Sequence, residues 1–130
     1  MSLFENGVHH RLRRPVPDVK GLRAFVVGMG ESGTAAANLL LKQGATVWVY
    51  DADPQKEQTL RTRWEPQGVQ LYTGELKPIE GIDFCVVSPG VPPFGKFFTW
   101  LRQADIPLLG EMELACRFFQ RPIIAVTGTN

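Results

Sequence analysis

A chain of 130 residues, 44% hydrophobic and 21% charged, carries enough apolar side chains for one ordinary core and is too short for two full domains. Fourteen Lys and Arg against thirteen Asp and Glu leave a formal charge of +1. No global field exists to gather nucleic acid or an anionic membrane, so an anionic ligand must be held locally.

Residues 1–20, with His9, His10, Arg11, Arg13, Arg14 and two prolines, show no apolar periodicity and read as a flexible basic arm. From residue 23 onward, short Val-rich runs alternate with amphipathic stretches, the pattern of βα units around a buried parallel sheet. Strands are expected at 24–27, 46–50, 69–72, 84–87, 107–109 and 123–126, and helices at 33–43, 54–65, 94–103 and 111–119. Gly44 suits a left-handed end to the first of these helices, and Asp53 a cap on the second with Pro54 at its first position. Glu111 and Glu113 suit the positive end of the fourth helix dipole. The fold class is α/β, a Rossmann-like parallel sheet with helices on both faces.

Cys85 and Cys116 lack the number and spacing of a disulfide framework or a zinc site and read as buried reduced thiols. No apolar stretch approaches the roughly 20 residues of a membrane span, and the N-terminus lacks the apolar region of a signal peptide. A cytoplasmic protein with no membrane partner is expected.

Gly28-Met29-Gly30-Glu31-Ser32-Gly33 follows the first strand and opens the first long helix, the context in which a G-x-G-x-x-G pattern cradles phosphate. Gly28 permits the tight turn, Gly30 lets backbone amides approach a diphosphate, Gly33 lets helix and sheet pack closely, and the helix N-terminus adds partial positive charge. Asp51 stands after the second strand, where dinucleotide-binding folds place the acid that bonds a ribose hydroxyl; that reading alone points to NAD. Read as scaffold, the glycines make a turn and Asp51 and Asp53 cap the next helix. The fourth strand runs into Ser88-Pro89-Gly90-Val91-Pro92-Pro93. There the Ser88 hydroxyl and the free amides of Gly90 and Val91 can donate to a phosphate or sugar oxygen, stiffened by Pro89 and Pro92.

Further on, Gly110-Glu111-Met112-Glu113-Leu114 leads to Ile123-Ile124-Ala125-Val126-Thr127-Gly128-Thr129-Asn130. A strand running into Thr-Gly-Thr-Asn resembles the start of the ATP-binding loop of the Mur ligases, which in that family continues with Gly-Lys and then Ser or Thr. The glycine loop, the acid after the second strand, Ser-Pro-Gly-Val-Pro, and Gly-Glu-x-Glu-Leu followed by Val-Thr-Gly-Thr-Asn stand in the family's order from about Gly21 on. Asn130 resembles the branch that adds D-glutamate, because the L-alanine-adding branch typically has His there and the two later ligases have a different N-terminal domain.

The resemblance implies an N-terminal part that binds the UDP of UDP-N-acetylmuramoyl-L-alanine within an ATP-dependent amide ligase of peptidoglycan precursor synthesis. Gly30, Glu31, Ser32 and Gly33 would lie at the diphosphate, Asp51 and Ala52 at the uracil, and Ser88, Pro89 and Gly90 along the rest of the nucleotide sugar. Thr127, Gly128, Thr129 and Asn130 would begin the ATP loop. ATP, magnesium and D-glutamate would belong to the whole ligase, and no catalytic residue would lie within this chain. The implied division is an arm to residue 20, a UDP-sugar-binding domain over 21–110 and the start of the ATP-binding domain over 111–130, whose strand at 123–126, without its sheet, could pair with a second copy. Glu31 and Asp53 depart from the family, which often has an apolar and a basic residue at those places. An NAD-binding oxidoreductase domain and a Rossmann-type nucleotide-sensing regulatory domain are the alternatives.

Overall fold

The computed structural model of the chain describes residues 7–13 and 16–129. Five strands form one parallel sheet in the order β3-β2-β1-β4-β5: β1 Arg23–Val27, β2 Thr46–Asp51, β3 Gln70–Thr73, β4 Phe84–Val87 and β5 Leu108–Gly110. The central strand reads as a continuous apolar run because both of its faces are covered. Ala24 and Val26 point to one side with Val47, Val49, Phe84 and Val86, while Phe25 and Val27 point to the other with Tyr50 and Cys85.

The first side packs against α2 (Glu31–Lys42), α3 (Glu57–Trp64) and α5 (Glu111–Phe118) through Ala36, Ala37, Leu40, Leu60, Trp64 and Leu114. The second is closed by α4 (Lys96–Gln103), whose Phe97, Phe98 and Leu101 are buried, and by the connection 74–83, which has no helix and contributes Leu76, Ile79 and Ile82. Helix α2 ends as its sequence demands. Gly44 adopts φ +85°, its amide donates to Leu41 O and that of Ala45 to Leu40 O, both at 3.0 Å, so two terminal carbonyls are satisfied. Asp53 accepts from the amide of Gln55 at 3.0 Å and caps a 3-10 turn, Pro54–Lys56, that leads into α3.

Two expectations are corrected. The stretch read as a flexible arm carries α1 (Val8–Arg13), and its Leu12 is 1% exposed within the core. Arg11 donates to the carbonyls of Asp18 and Lys20 and folds the segment on itself, while Arg117 of α5 donates to Leu12 O at 3.0 Å and fastens it to the domain. Residues 1–6, Arg14, Pro15 and Asn130 lie outside the described residues. Residues 123–126 form no strand: Ile124 and Val126 are 92% and 94% exposed, with no neighbouring strand among the described residues to receive their backbone groups. No described helix is long and apolar enough to cross a membrane.

Candidate functional site

The chain leaves β1 toward β2 on one side of the sheet and reaches β4 on the other, so strand order reverses between β1 and β4. Open parallel sheets bind ligands in the crevice outside the carboxyl ends at such a point. The turn after β1 and the turn after β4 meet there. Gly28 has φ +96°, and a Cβ on it would lie 2.8 Å from Cβ of Ser88 and 3.0 Å from Cγ2 of Val91, so only glycine lets the two turns touch. The Gly28 amide donates to Tyr50 O at 2.8 Å and the Ser88 amide to Val27 O at 3.0 Å, extending the ladder into both turns.

The three glycines of the loop differ in what they do. A Cβ at Gly33 would fall 1.8 Å from Gly28 O, so its place in the motif is set by helix-to-turn packing, and the residue is buried. Gly30 has open space where its Cβ would be and is exposed at the N-cap of α2, where no side chain caps the first turn. The first-turn amides of a helix have no intrahelical acceptor and carry the positive end of its dipole. Glu31 and Ser32 in that turn are exposed, which leaves the Glu31 carboxylate free to turn away from an anion.

Asp51, 7% exposed, holds the turn from below. Its Oδ2 accepts from the Met29 amide at 3.1 Å and from Nζ of Lys56 at 3.4 Å, and its Oδ1 from the Asp53 amide at 2.9 Å. Next to it, burial and then the Asp51 charge hold the Tyr50 phenol above its ordinary value of 10.0, and its hydroxyl donates to Gly74 O. Tyr50 therefore stays a neutral donor.

Two clefts open on either side of the paired turns. One, of about 420 Å³, brings Asp51, Ala52 and Gly90 together with Val91, Phe94 and Phe98. The other, of about 290 Å³, lies between α2 and α5 and brings together Ser32, Pro89 and Glu111. The Val91 amide, expected to be free, instead donates to Ser88 O at 3.0 Å, because the Ser-Pro-Gly-Val segment closes on itself as a turn. Thr127, Gly128 and Thr129 are exposed and without regular structure, and Asn130 lies outside the described residues. Lys56, Phe94 and Glu111 were not singled out as site residues in the sequence; a cation five residues after the acid at the end of β2 was the available signal for Lys56.

A family model of the MurD-like N-terminal domain of the Mur ligases matches residues 22–110, spanning all five strands and both turns. The chain belongs to the Mur ligases, as a MurD-like N-terminal domain. It is 41% identical over 113 residues to the UDP-N-acetylmuramoylalanine--D-glutamate ligase of Pelodictyon phaeoclathratiforme, covering 87% of this chain and 24% of that protein. The corresponding ligase of Syntrophus aciditrophicus is 38% identical over 117 residues, covering 87% and 26%. The MurD-like chain thus spans about a quarter of the length of these relatives.

Among solved structures, shikimate dehydrogenase of Aquifex aeolicus superposes with a TM-score of 0.54 at 17% identity, covering 81% of this chain and 48% of that one. An S-adenosylmethionine-dependent methyltransferase of Mesorhizobium loti superposes with a TM-score of 0.53 at 19% identity, covering 81% and 50%. Such likenesses show the Rossmann-like fold of the MurD-like domain and carry no chemistry, since one fold hosts many functions.

Proposed function

We propose that this chain binds the nucleotide of UDP-N-acetylmuramoyl-L-alanine as the N-terminal part of a cytoplasmic, ATP-dependent ligase that adds D-glutamate in peptidoglycan precursor synthesis. The observation that carries the reading is the open backbone at Gly30 on the uncapped first turn of α2, set at the strand-order reversal beside the Ser88-Pro89-Gly90 turn. A diphosphate finds amides and a helix dipole there. Asp51, with lone pairs remaining beyond the donors it already serves, and Ala52 face the cleft suited to the uracil. Ser32 and Pro89, which line the second cleft, are assigned to the path toward the sugar, and Gly90 to the uracil side.

An NAD reading requires the acid after β2 to be available to a ribose. The Asp51 lone pairs left for a uracil would serve a ribose equally, so what weighs against NAD is the match of residues 22–110 to the MurD-like N-terminal domain. ATP and magnesium belong to the whole ligase in this reading. The residues at 127–129 are without regular structure, and the described residues hold no group of three or more His, Cys, Asp or Glu side chains placed for a metal. No phosphoryl step is assigned to this chain, and the 130-residue polypeptide alone is expected to release no phosphate from ATP.

Calorimetric titration of the chain with UDP and with NADH tests the reading. Saturable binding of UDP with NADH inert is the expected result. Saturable NADH binding with UDP inert overturns it.

A further inference from the structure

Glu111 opens α5, and its side chain is 8% exposed with Oε1 buried and no hydrogen-bond partner. A buried carboxylate oxygen without a donor is costly, and folds seldom leave one unless a donor arrives from elsewhere. Glu111 stands at one end of the α2–α5 cleft, whose length is lined by Ala35, Leu39, Met112 and Ala115. The cleft therefore suits a guest that is apolar along most of its length and brings N–H or O–H donors at one end.

Residues 119–129 of the same chain have that character. Ile124 and Val126 are almost wholly exposed, and Phe119 and Ile123 more than half, a cluster of apolar side chains that marks a surface suited to a partner. Thr127, Gly128 and Thr129 follow with amides and hydroxyls that no regular structure engages. Residues 119–130 contain no acidic side chain and one cation, Arg121, so their charge complements the Glu111 carboxylate.

Reach and direction agree. Helices α2 and α5 each follow a strand of one parallel sheet and lie on the same side of it, so they run the same way, with Ser32 and Glu111 at their N-terminal ends. The chain leaves α5 at Phe119, the end far from Glu111. Returning over the cleft means travelling the 8 residues of α5, about 12 Å. An extended run from Ile123 to Thr127 covers about 13 Å, and Gln120, Arg121 and Pro122 are available for the reversal. Alternate side chains of an extended run share a face, so Ile124 and Val126 would meet the cleft together while Thr127, Gly128 and Thr129 come level with Glu111. A tether this short gives an effective concentration on the order of millimolar, which favours the chain's own cleft over that of a second copy at micromolar concentration.

We infer that residues 123–129 are a strap that closes over the α2–α5 cleft of their own chain, with Ile124 and Val126 along its apolar walls and the Thr-Gly-Thr donors on Glu111. In this structure the strap stands open. The inference does not depend on the nucleotide reading. Closed, the strap covers the cleft assigned above to the sugar path.

Residue-resolved hydrogen exchange of the unsubstituted 130-residue chain provides the test and needs no variant to fold. Amides between 124 and 129 are expected to exchange at least about ten-fold more slowly than an unstructured peptide, the scale of one hydrogen bond. Exchange of all of them at the unstructured rate overturns the strap. Protection that disappears on dilution gives the cleft to a second copy and overturns closure within one chain. In Glu111→Leu, protection at 127–129 should be lost; its persistence there overturns the contact with Glu111. Leu39→Cys with Ile124→Cys, in a chain carrying Cys116→Ala, should form its disulfide within monomers, and disulfide-linked dimers in its place would also overturn the strap.

Discussion

The amide of Met29, inside the glycine turn, donates to Oδ2 of Asp51 at 3.1 Å, tying the end of β1 to the end of β2. Met29 is 5% exposed, so water cannot replace that acceptor. Asp51→Ala leaves the buried amide unpaired and also frees the Asp53 amide. A loss of roughly 1–3 kcal/mol of stability is expected, read as a lower urea midpoint at unchanged m-value. Asp51→Asn, which retains one oxygen for Met29, is expected to cost less. Lys56, half-exposed, contributes little to the tie. An Asp51→Ala chain as stable as the parent would contradict the tie, and UDP affinity is expected to fall in Asp51→Ala, where the turn is no longer fixed, more than in Asp51→Asn.

Gly30 and Gly33 occupy one motif and are expected to respond oppositely. Gly33→Ala drives a methyl to within 1.8 Å of Gly28 O, both on backbone, and is expected to cost about 3 kcal/mol or more, with UDP binding lost along with the fold of the turn. Gly30→Ala meets nothing within 4 Å and keeps an ordinary φ of −76°, so stability should change by no more than about 1 kcal/mol, the scale of an N-cap preference. In the function proposed above its new methyl would stand at the diphosphate, so UDP affinity should fall at least about ten-fold, the scale of one lost phosphate contact. Thermal melts paired with UDP titration separate the two; weakened binding in Gly33→Ala only, with Gly30→Ala unaffected, would place the phosphate elsewhere.

The contrast shows what the sequence made legible. Five of the six expected strands form, within a residue or two of the expected bounds, because Val-rich runs between turn residues leave little choice in a buried parallel sheet. The sixth, at 123–126, has the same composition, but apolarity reports a tendency and pairing needs a neighbour, which the described sheet does not offer. Helix α1 was invisible for the converse reason. Six residues with Leu12 as their buried side chain show no period, and the Arg117 that holds Leu12 O is 105 residues away in sequence. At the site, position was readable and engagement was not: the pattern placed Asp51 at the end of β2, yet that its oxygens face Met29 and Asp53 depends on the close packing of two turns. Glu111 was legible as a charge at a helix N-terminus, and its burial only appears once α2 and α5 are packed together.

Since α1 belongs to the domain, shortening Leu12 should be felt by the whole molecule. Leu12→Ala removes a side chain that is 1% exposed and is expected to cost about 2–5 kcal/mol, the range for emptying a core leucine site. His10→Ala, on the exposed side of the same helix, should stay within about 0.5 kcal/mol of the parent. Matching urea midpoints for the two variants would return this segment to the status of an arm.

Alkaline pH should loosen the fold through the second face of the sheet. Burial pushes the Cys85 thiol well above its ordinary value of 9.0, and burial followed by the Asp51 charge raises Tyr50 from 10.0. Both are neutral when protonated, so above their ordinary values the unfolded chain releases protons that the folded chain retains. Their stabilising contribution is therefore complete below about pH 9 and falls as pH rises from there, by up to about 1.4 kcal/mol per pH unit for each group. Urea midpoints measured from pH 7 to 11 should hold steady as far as these two groups are concerned and then decline. Cys85→Ala should delay the decline until Tyr50 begins to titrate. Of the two thiols expected to be buried, Cys85 is and Cys116 is exposed, so at pH 8 a thiol reagent should label Cys116 quickly and Cys85 only on unfolding. Rapid labelling of both in the native chain would mean that the α4 face is open, and the alkaline argument would fail with it.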